Sequence, residues 1–535
     1  MLKQVTNNTT VIIVASIIIL SVGFRLATIS ADTPPGLSWS AGLYVDEGYK
    51  TLAPRNLVMY DSATWHKADT YAGWLHMSPL TQWPVYASFK LFGTSIESAR
   101  LVAILFFALL LLVYSALYKN RYSKKLYIIG LVLLTSDITI FTFSRIMLLE
   151  MPMSFLLYST ILAITLHYET KQPSIAPTAL LVISAIVIAK TVKHTAIVYF
   201  LPAIIASISY YCINNRNIPR KQLFFAIAGT AIALVAILIS TSHVWLPRIN
   251  TNITSYAYHI VDNPLLDTSP LILIGAWLCC AVAFLQHPRY FLNNLYRLTL
   301  ICVVIFTPLF LSIFSYNPMR YYSPVIPACI LLVLEWIHNR NRFECVNNLP
   351  FTLIAITILT ITYAFAFTAL DLHNSFSMST IVFGSSVLSF LTAITYRSIS
   401  KPFSVVPALI VTGAILHNIY FLYNFHHNQT HNAEKLRQQL TAIVRDSKSI
   451  AGGWAPFLTL GTQLKSLYAN DVINPPQVVK TIKPDYFMLS ETPTSMATFM
   501  LLENDKDIEI GKPILLGSYN DTKVFLYPLS YIQMK

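Results

Sequence analysis

Long apolar runs recur along the whole chain and alternate with short polar connectors. About twenty apolar residues cross a bilayer as a helix, because about 30 Å of hydrocarbon is spanned at about 1.5 Å per residue. The pattern predicts a polytopic α-helical membrane protein with about 13 transmembrane helices. The predicted spans lie near residues 10–29, 99–118, 126–143, 149–167, 176–190, 194–212, 223–241, 270–286, 298–315, 322–338, 350–370, 379–396 and 403–422. The first run, Val11–Leu26, lacks a small-residue cleavage site, so we expect a retained span and not a removed signal peptide.

Two segments break this pattern. Residues 30–98 form a polar loop in which Thr51–Tyr60 and Pro79–Phe92 are predicted surface helices, with aromatic residues suited to the membrane interface. From about residue 424, a helical stretch with mixed charge is followed by short apolar runs that alternate with helix-like stretches. These elements are Ala433–Asp446, Ser449–Gly453, Tyr486–Leu489, Ile514–Ser518 and Val524–Tyr527. The sequence therefore predicts a membrane domain at 1–423 and a small soluble α/β domain at 424–535.

Composition supports the membrane class. Soluble proteins carry about 25% charged residues, whereas this chain has 11%, with 55% hydrophobic residues and a mean hydropathy of +0.57. The net charge of +13 could indicate a nucleic-acid partner. However, Lys and Arg cluster in alternate connectors, namely 119–125, 216–221, 289–297, 340–342 and 397–401. This is the positive-inside pattern, which predicts a cytoplasmic N-terminus, an outer 30–98 loop, an outer tail and no nucleic-acid partner.

Two further function classes are disfavoured. The six cysteines lie in predicted spans or at their inner ends, and no Cys/His spacing resembles a zinc site. No P-loop is present, so an ATP-driven pump is not expected.

Charged residues near the outer boundary are the candidates for chemistry. Asp46 and Glu47 follow the first span, where the alternative to a functional role is a helix cap. Arg145, Lys193 and Arg320 lie in predicted outer turns, although the positive-inside rule disfavours cations there. Cations in that place indicate an anionic ligand such as phosphate. The alternative is that long side chains snorkel at the ends of spans.

At these residues the sequence resembles the GT-C glycosyltransferases, in the branch that holds protein O-mannosyltransferases and lipid A aminoarabinose transferases. The resemblance covers roughly 10–340, in order. Its motifs are Asp46–Tyr49, Ala53–Asn56, Ser78–Leu80, Leu91–Gly93, Ala99–Leu101, Ser144–Arg145 with Leu149–Glu150, Val192–Lys193 before Leu201–Pro202, and Arg320–Tyr321 with Pro324 and Pro327. The resemblance implies the GT-C fold, with transfer of a sugar from a polyprenyl-phosphate carrier such as undecaprenyl phosphate, by inversion. The acceptor would be a lipid A, glycan or protein on the outer face of a bacterial inner membrane.

The resemblance also implies roles for single residues. Asp46 would be the catalytic carboxylate, acting as general base or orienting an anionic acceptor, with Glu47 supporting it. The residues implied to bind substrate or phosphate are Arg55, Arg145, Glu150, Lys193, Arg320 and Tyr321. A divalent metal is left open as a cofactor, with Glu150, His76 and His243 as weak ligand candidates.

Some positions depart from the family pattern. Several relatives have a phosphate-contacting Lys before the Pro-Leu step, and here His76, Met77 and Ser78 precede it. Glu150 stands where Asp is usual, and His194 replaces a Gly. Two other functions remain open, a flippase or transporter of lipid-linked sugars and a non-catalytic scaffold. A base at Asp46 is needed only by the transferase.

Overall fold

The chain is described by a computed structural model. It covers residues 2–34, 40–73, 78–119, 121–168, 175–193, 195–214, 268–286, 288–311, 318–339, 406–469, 474–490, 499–519 and 522–532. The predicted spans at 223–241, 350–370 and 379–396 lie outside the described residues.

The first part of the chain is helical. Its helices are α1 Leu2–Ala27, α2 Ser40–Tyr60, α3 Pro79–Phe92, α4 Ile96–Lys119, α5 Lys124–Ser136, α6 Ile138–Phe143, α7 Glu150–Tyr168, α8 Ala176–Thr191, α9 Ala196–Asn214, α10 Pro270–Gln286, α11 Pro288–Leu292, α12 Leu295–Leu311, α13 Ile326–His338 and α14 Val406–His427. Short 3₁₀ turns occupy Thr70–Gly73 and Met319–Tyr322.

Several of these helices are long and apolar enough to cross a membrane. Within the described residues there are four such segments, Thr9–Ala27, Ile96–Tyr118, Ala196–Asn214 and Pro407–Ile443. Shorter apolar helices occupy Ala176–Thr191, Pro270–Cys280, Leu295–Leu311 and Ile326–His338. These helices support the predicted class of an α-helical membrane protein, while the count of 13 spans stays a prediction.

The predicted span at 126–143 is wrong as a single helix. It breaks at Asp137, whose carboxylate accepts hydrogen bonds from the backbone N of Ile140 (3.0 Å) and from Oγ of Ser269 (2.6 Å). A side-chain oxygen in this position satisfies a free N–H at a helix start, so Asp137 ends α5 and caps α6.

The helix predicted at Thr51–Tyr60 is longer than expected. It begins at Ser40, so Asp46 and Glu47 lie inside α2 and not ahead of a helix. The second loop helix, α3, has the predicted bounds Pro79–Phe92. It exposes four large apolar side chains, those of Leu80, Trp83, Leu91 and Phe92, as expected of a helix at a lipid interface.

The last part of the chain is an α/β unit. Its elements are α15 Asn432–Ile443, β1 Ser449–Ala451, α16 Ala455–Leu458, β2 Lys465–Leu467, α17 Pro476–Ile482, β3 Tyr486–Ser490, β4 Ile508–Ile510, β5 Ile514–Tyr519 and β6 Thr522–Tyr531. The strands form one sheet of order β2-β1-β3-β6-β4, with β5 also on β6. The pairs of β1 with β2 and β3 are parallel, and those made by β6 are antiparallel. Each of the four apolar runs seen in the sequence lies on a strand.

The α/β unit packs directly on the loop helix α2. At Gly48, an added Cβ would lie 2.5 Å from the backbone N of Phe457, so the backbones of α2 and α16 touch there. Arg55 of α2 donates to the carbonyls of Thr462 (3.2 Å) and Leu464 (2.5 Å). Asp32, after α1, accepts from the backbone N of Asn432 (2.6 Å). Helix α2 is thus held between the membrane helices and the tail.

Candidate active site

Four charged side chains from four segments form a continuous chain of ion pairs. Asp46 pairs with the guanidinium of Arg320, whose Nε lies 3.6 Å from Oε1 of Glu150. The same oxygen of Glu150 is 2.6 Å from Nζ of Lys193. Asp46 and Lys193 keep 19% and 17% of their side-chain surface exposed, whereas Glu150 keeps 3%. The two ends of the chain are therefore open to a ligand, and its centre is buried.

Arg320 lies on a tightly held turn. The 3₁₀ turn Met319–Tyr322 follows Pro318, whose fixed φ suits the extended backbone before it. The hydroxyl of Tyr199 on α9 donates to the carbonyl of Tyr321 (2.7 Å), and that of Tyr158 on α7 donates to the carbonyl of Pro324 (2.9 Å). Two buried tyrosines therefore fix the turn that aims Arg320 at Asp46.

Glu150 and Lys193 occupy helix ends. Glu150 is the first residue of α7, where a carboxylate is stabilised by the free N–H groups of the helix start. Lys193 follows the end of α8, and its backbone N bonds to the carbonyl of Ile188 (3.1 Å). Oγ of Ser78 donates to the carbonyl of Val192 (2.7 Å), which ties this turn to the start of α3.

Tyr321 provides an aromatic surface below the cations. Nζ of Lys193 lies 3.9 Å from its ring centroid, and Cζ of Arg320 lies 5.4 Å from it. Cations within about 6 Å of a ring face are attracted by its quadrupole. The predicted residues Asp46, Glu150, Lys193, Arg320 and Tyr321 are thus brought together in one place.

Lys50 also faces this cluster, although the sequence analysis gave it no role. It lies four residues after Asp46 on α2, and residues at this spacing share a helix face. Its Nζ lies 4.5 Å from the ring centroid of Tyr49. Burial lowers the pKa of Lys50 to about 7, against the opposing attraction of Asp46 and Glu150. The four-residue spacing from Asp46 was the signal that could have singled it out.

Glu47 points away from Asp46, into a separate buried pair. Its carboxylate accepts from Nε (3.0 Å) and Nη2 (2.9 Å) of Arg100, and from the backbone N of Met147 (2.9 Å). Arg100 also donates to the carbonyl of Ile29 (2.6 Å). Glu47 therefore joins α2 to α4, to the turn before α7 and, through Arg100, to the segment after α1.

Two predicted phosphate ligands have other contacts. Arg55 points to the tail carbonyls of Thr462 and Leu464. Arg145 donates to the carbonyl of Thr28 (2.5 Å), and its Cζ lies 4.5 Å from the ring centroid of Phe425. These hydrogen bonds lead to the tail for Arg55 and to the segment after α1 for Arg145.

The described part of the chain offers no ready set of metal ligands. It holds no group of three His, Cys, Asp or Glu side chains placed to bind a metal ion. Glu150, the one candidate ligand that is described, is engaged by Lys193 and Arg320. His76, His243 and also His194 lie outside the described residues.

The fold and the cluster define a class. The described chain combines apolar helices long enough to cross a membrane with a cluster in which a partly exposed carboxylate pairs with a cation able to bind an anion. This is the arrangement expected of a membrane enzyme that handles a phosphate-bearing substrate.

Comparison with known proteins confirms the resemblance drawn from the sequence. Residues 76–245, about a third of the chain, match the family model described as dolichyl-phosphate-mannose-protein mannosyltransferase. The structure is similar to that of ArnT from Cupriavidus metallidurans bound to undecaprenyl phosphate, with a TM-score of 0.53, 15% sequence identity, and 97% of this chain and 97% of that chain covered. The crystal structure of ArnT from the same organism in the apo state is similar at a TM-score of 0.52 and 14% sequence identity, with 98% of this chain and 98% of that chain covered. The chain therefore has the GT-C fold seen in ArnT.

One further solved structure is similar at a lower TM-score. The archaeal oligosaccharyltransferase AglB from Archaeoglobus fulgidus, in complex with an inhibitory peptide and a dolichol-phosphate, is similar at a TM-score of 0.41 and 13% identity, covering 89% of this chain and 69% of that chain. That likeness is too distant to carry an argument. Among curated protein sequences, none matches the chain significantly.

Proposed function

We propose that this protein is a membrane glycosyltransferase that takes a sugar from a polyprenyl-phosphate carrier and transfers it to an acceptor on the extracytoplasmic face. The observation that carries the proposal is the ion-pair chain from Asp46 through Arg320 and Glu150 to Lys193. It sets a partly exposed carboxylate beside two cations, which are the groups a displacement at a glycosyl phosphate requires. Undecaprenyl phosphate, bound in the ArnT structure, is the carrier type that this likeness favours.

The reaction is a single displacement. The acceptor oxygen forms a bond to the anomeric carbon as the bond from that carbon to the phosphate oxygen breaks, which inverts the configuration. Asp46 takes the proton of a hydroxyl acceptor, or orients an acceptor that is already anionic. Arg320 and Lys193 stabilise the charge that develops on the departing phosphate, and Glu150 holds both cations in place.

The remaining parts of the chain support the site. Glu47 fixes the direction of α2 through Arg100, and Arg55 fastens α2 to the tail. Helix α3, with its exposed apolar side chains, would lie at the membrane interface beside the donor lipid. With the N-terminus in the cytoplasm, the tail and the site share the outer side, which suits a bacterial inner membrane. The acceptor is a lipid A, a glycan or a protein.

The test is Asp46→Asn at an unchanged protein level, with a labelled undecaprenyl-phosphate sugar as donor. The donor sugar and the acceptor are first found by comparing lipid and glycan mass spectra of a deletion strain and its parent. Removal of a general base lowers turnover by about 10²–10⁴-fold. The matched control is Asp61→Asn in the same loop, because Asp61 is exposed and has a φ of 52°, which Asn tolerates. Full transfer by Asp46→Asn would reject the catalytic role.

A flippase of lipid-linked sugars would use the same cations without needing a base. In vesicles of defined orientation, a flippase moves labelled carrier lipid across the membrane and leaves the sugar attached. A transferase releases the carrier phosphate on the side where the acceptor is added. Carrier translocation without release of sugar would favour the flippase.

A further inference from the structure

Lys50 is a charged group of the cluster that the proposed reaction does not use. Its side chain is buried, with 9% of the residue exposed, and its ammonium lies over the ring of Tyr49. Tyr49 packs in turn against Tyr468 of the tail, with ring centroids 5.1 Å apart. Loop and tail thus build the wall that keeps Lys50 from water.

Four charged groups of the cluster act on Lys50. Asp46 and Glu150 attract its positive charge, while Lys193 and Arg320 repel it. Those four groups alone carry two negative and two positive charges, so their net charge is zero. When Lys50 is protonated, the site without ligand therefore carries one net positive charge.

A glycosyl phosphodiester brings one negative charge into this set. With Lys50 protonated, the occupied site is neutral, and with Lys50 neutral it holds one uncompensated anion in a partly buried place. Burying an unpaired charge is costly, so the protonated form is the one that binds the donor. The same balance holds through the reaction, because the proton lost by the acceptor stays on Asp46 as the phosphate gains its second charge.

We propose that Lys50 is the charge-balancing cation of the donor site, and that it takes up a proton when the carrier phosphate binds. This rests on the proposed function for the nature of the ligand. Lys50 would add to the charges of Lys193 and Arg320 from the face of α2 that carries Asp46. Because its pKa is about 7 without ligand, its charge changes within the physiological range.

The experiment measures binding of one defined probe, the methyl ester of undecaprenyl phosphate, to the purified full-length protein. This phosphodiester carries a single charge that does not titrate between about pH 6 and pH 8, so proton linkage reports the protein alone. For the wild type, the Kd is expected to rise about tenfold from pH 6 to pH 8, as the protonated fraction of Lys50 falls. Calorimetry at pH 7, repeated in buffers of different ionisation enthalpy, is expected to show net proton uptake.

The variants separate charge from packing. Lys50→Met is expected to bind about tenfold more weakly than wild type at pH 6, with little dependence on pH and no proton uptake. Lys50→Arg keeps the charge and is expected to bind independently of pH over this range. The matched control is Lys90→Met, because Nζ of Lys90 also lies over a tyrosine ring, 5.9 Å from that of Tyr86, but the residue is exposed.

Three outcomes would overturn the proposal. One is a Lys50→Met variant that binds like the wild type at pH 6. Another is wild-type binding that takes up no proton at pH 7, which tests the proposal even if the variants fail to fold. The third is a wild type that does not bind the phosphodiester at all, and that result would reject the proposed function as well. Probe binding without sugar transfer would reject the transferase and leave Lys50 as part of a phosphate site.

Discussion

Glu47 and Arg100 form a buried bidentate ion pair, with Nη2 to Oε2 at 2.9 Å and Nε to Oε1 at 3.0 Å. The two side chains are 0% and 2% exposed, respectively. Because Arg100 also binds the carbonyls at the end of α1, this pair fixes α2 against two other helices. Asp46, the residue before Glu47, is thereby held in place on α2.

The first prediction concerns this pair. Arg100→Met leaves the carboxylate of Glu47 buried without its partner, and loss of one member of a buried pair costs about 3–5 kcal/mol. We expect a loss of this size in the free energy of unfolding, measured by urea titration of the detergent-solubilised protein. The control is Lys448→Met, which removes an exposed ion pair with Asp485 and should change little. Equal stability of the two variants would contradict a structural role for Arg100.

The second prediction concerns the contact of α2 with the tail. Gly48→Ala places a Cβ 2.5 Å from the backbone N and 2.7 Å from the Cβ of Phe457, so the two helices must separate. We expect faster proteolysis of the tail and a loss of sugar transfer. Gly23→Ala is the matched control, because nothing lies within 4 Å of its added Cβ. It should keep activity and, as Ala favours helix over Gly, at least the wild-type stability.

The third prediction separates two lysines that lie three residues apart. Lys193 pairs with Glu150 at 2.6 Å, whereas Lys190 is exposed. Loss of one donor that stabilises transition-state charge typically lowers kcat by about 10²–10³-fold. We expect a fall of this order for Lys193→Met and none for Lys190→Met, in steady-state assays at saturating donor. Similar kcat values for both variants would remove Lys193 from the leaving-group role.

The fourth prediction concerns pH and the carboxyl group of Asp69. Burial raises its pKa above the ordinary value of 3.8, although Asn474 and the backbone N of Tyr71 donate to it. A raised pKa means that the folded protein binds this proton more tightly than the unfolded chain does, so stability increases as pH falls through the folded value and levels off below 3.8.

Its test compares the wild type with Asp69→Asn, whose side chain does not titrate. The melting temperature of the wild type should rise relative to that of the variant as the pH is lowered from 7 to 4. A difference that is constant over this range would show that Asp69 titrates normally.

Most residues of the cluster could be predicted from the sequence, because charged side chains are unusual at the ends of apolar spans. Lys193 and Arg320 are cations where apolar spans meet outer turns, and Glu150 is an acid at the start of an apolar helix. Such groups are costly in those places, which is the signal that marked them. The helical nature of the chain followed from periodicity and length in the same way.

Other features depend on partners that are distant along the chain. Helix α2 was expected to span only Thr51–Tyr60. Its earlier start at Ser40 goes with the packing of Phe457 on Gly48, and such tertiary contacts override local preference. The break at Asp137 depends similarly on Ser269. The local sequence pattern around Gly48 or Asp137 does not reveal these distant partners.

The bond from Arg55 to the carbonyl of Leu464 joins residues 409 positions apart. During synthesis, α2 therefore leaves the ribosome long before the segment that completes its packing. Contacts of such high sequence separation form late, after the loop between them has closed. Asp46 is therefore present early in a nascent chain, but the helix that carries it is packed completely only when the tail has been made and has folded. The surroundings of Asp46 would therefore be complete only after Leu464 and its neighbours have been made and have folded.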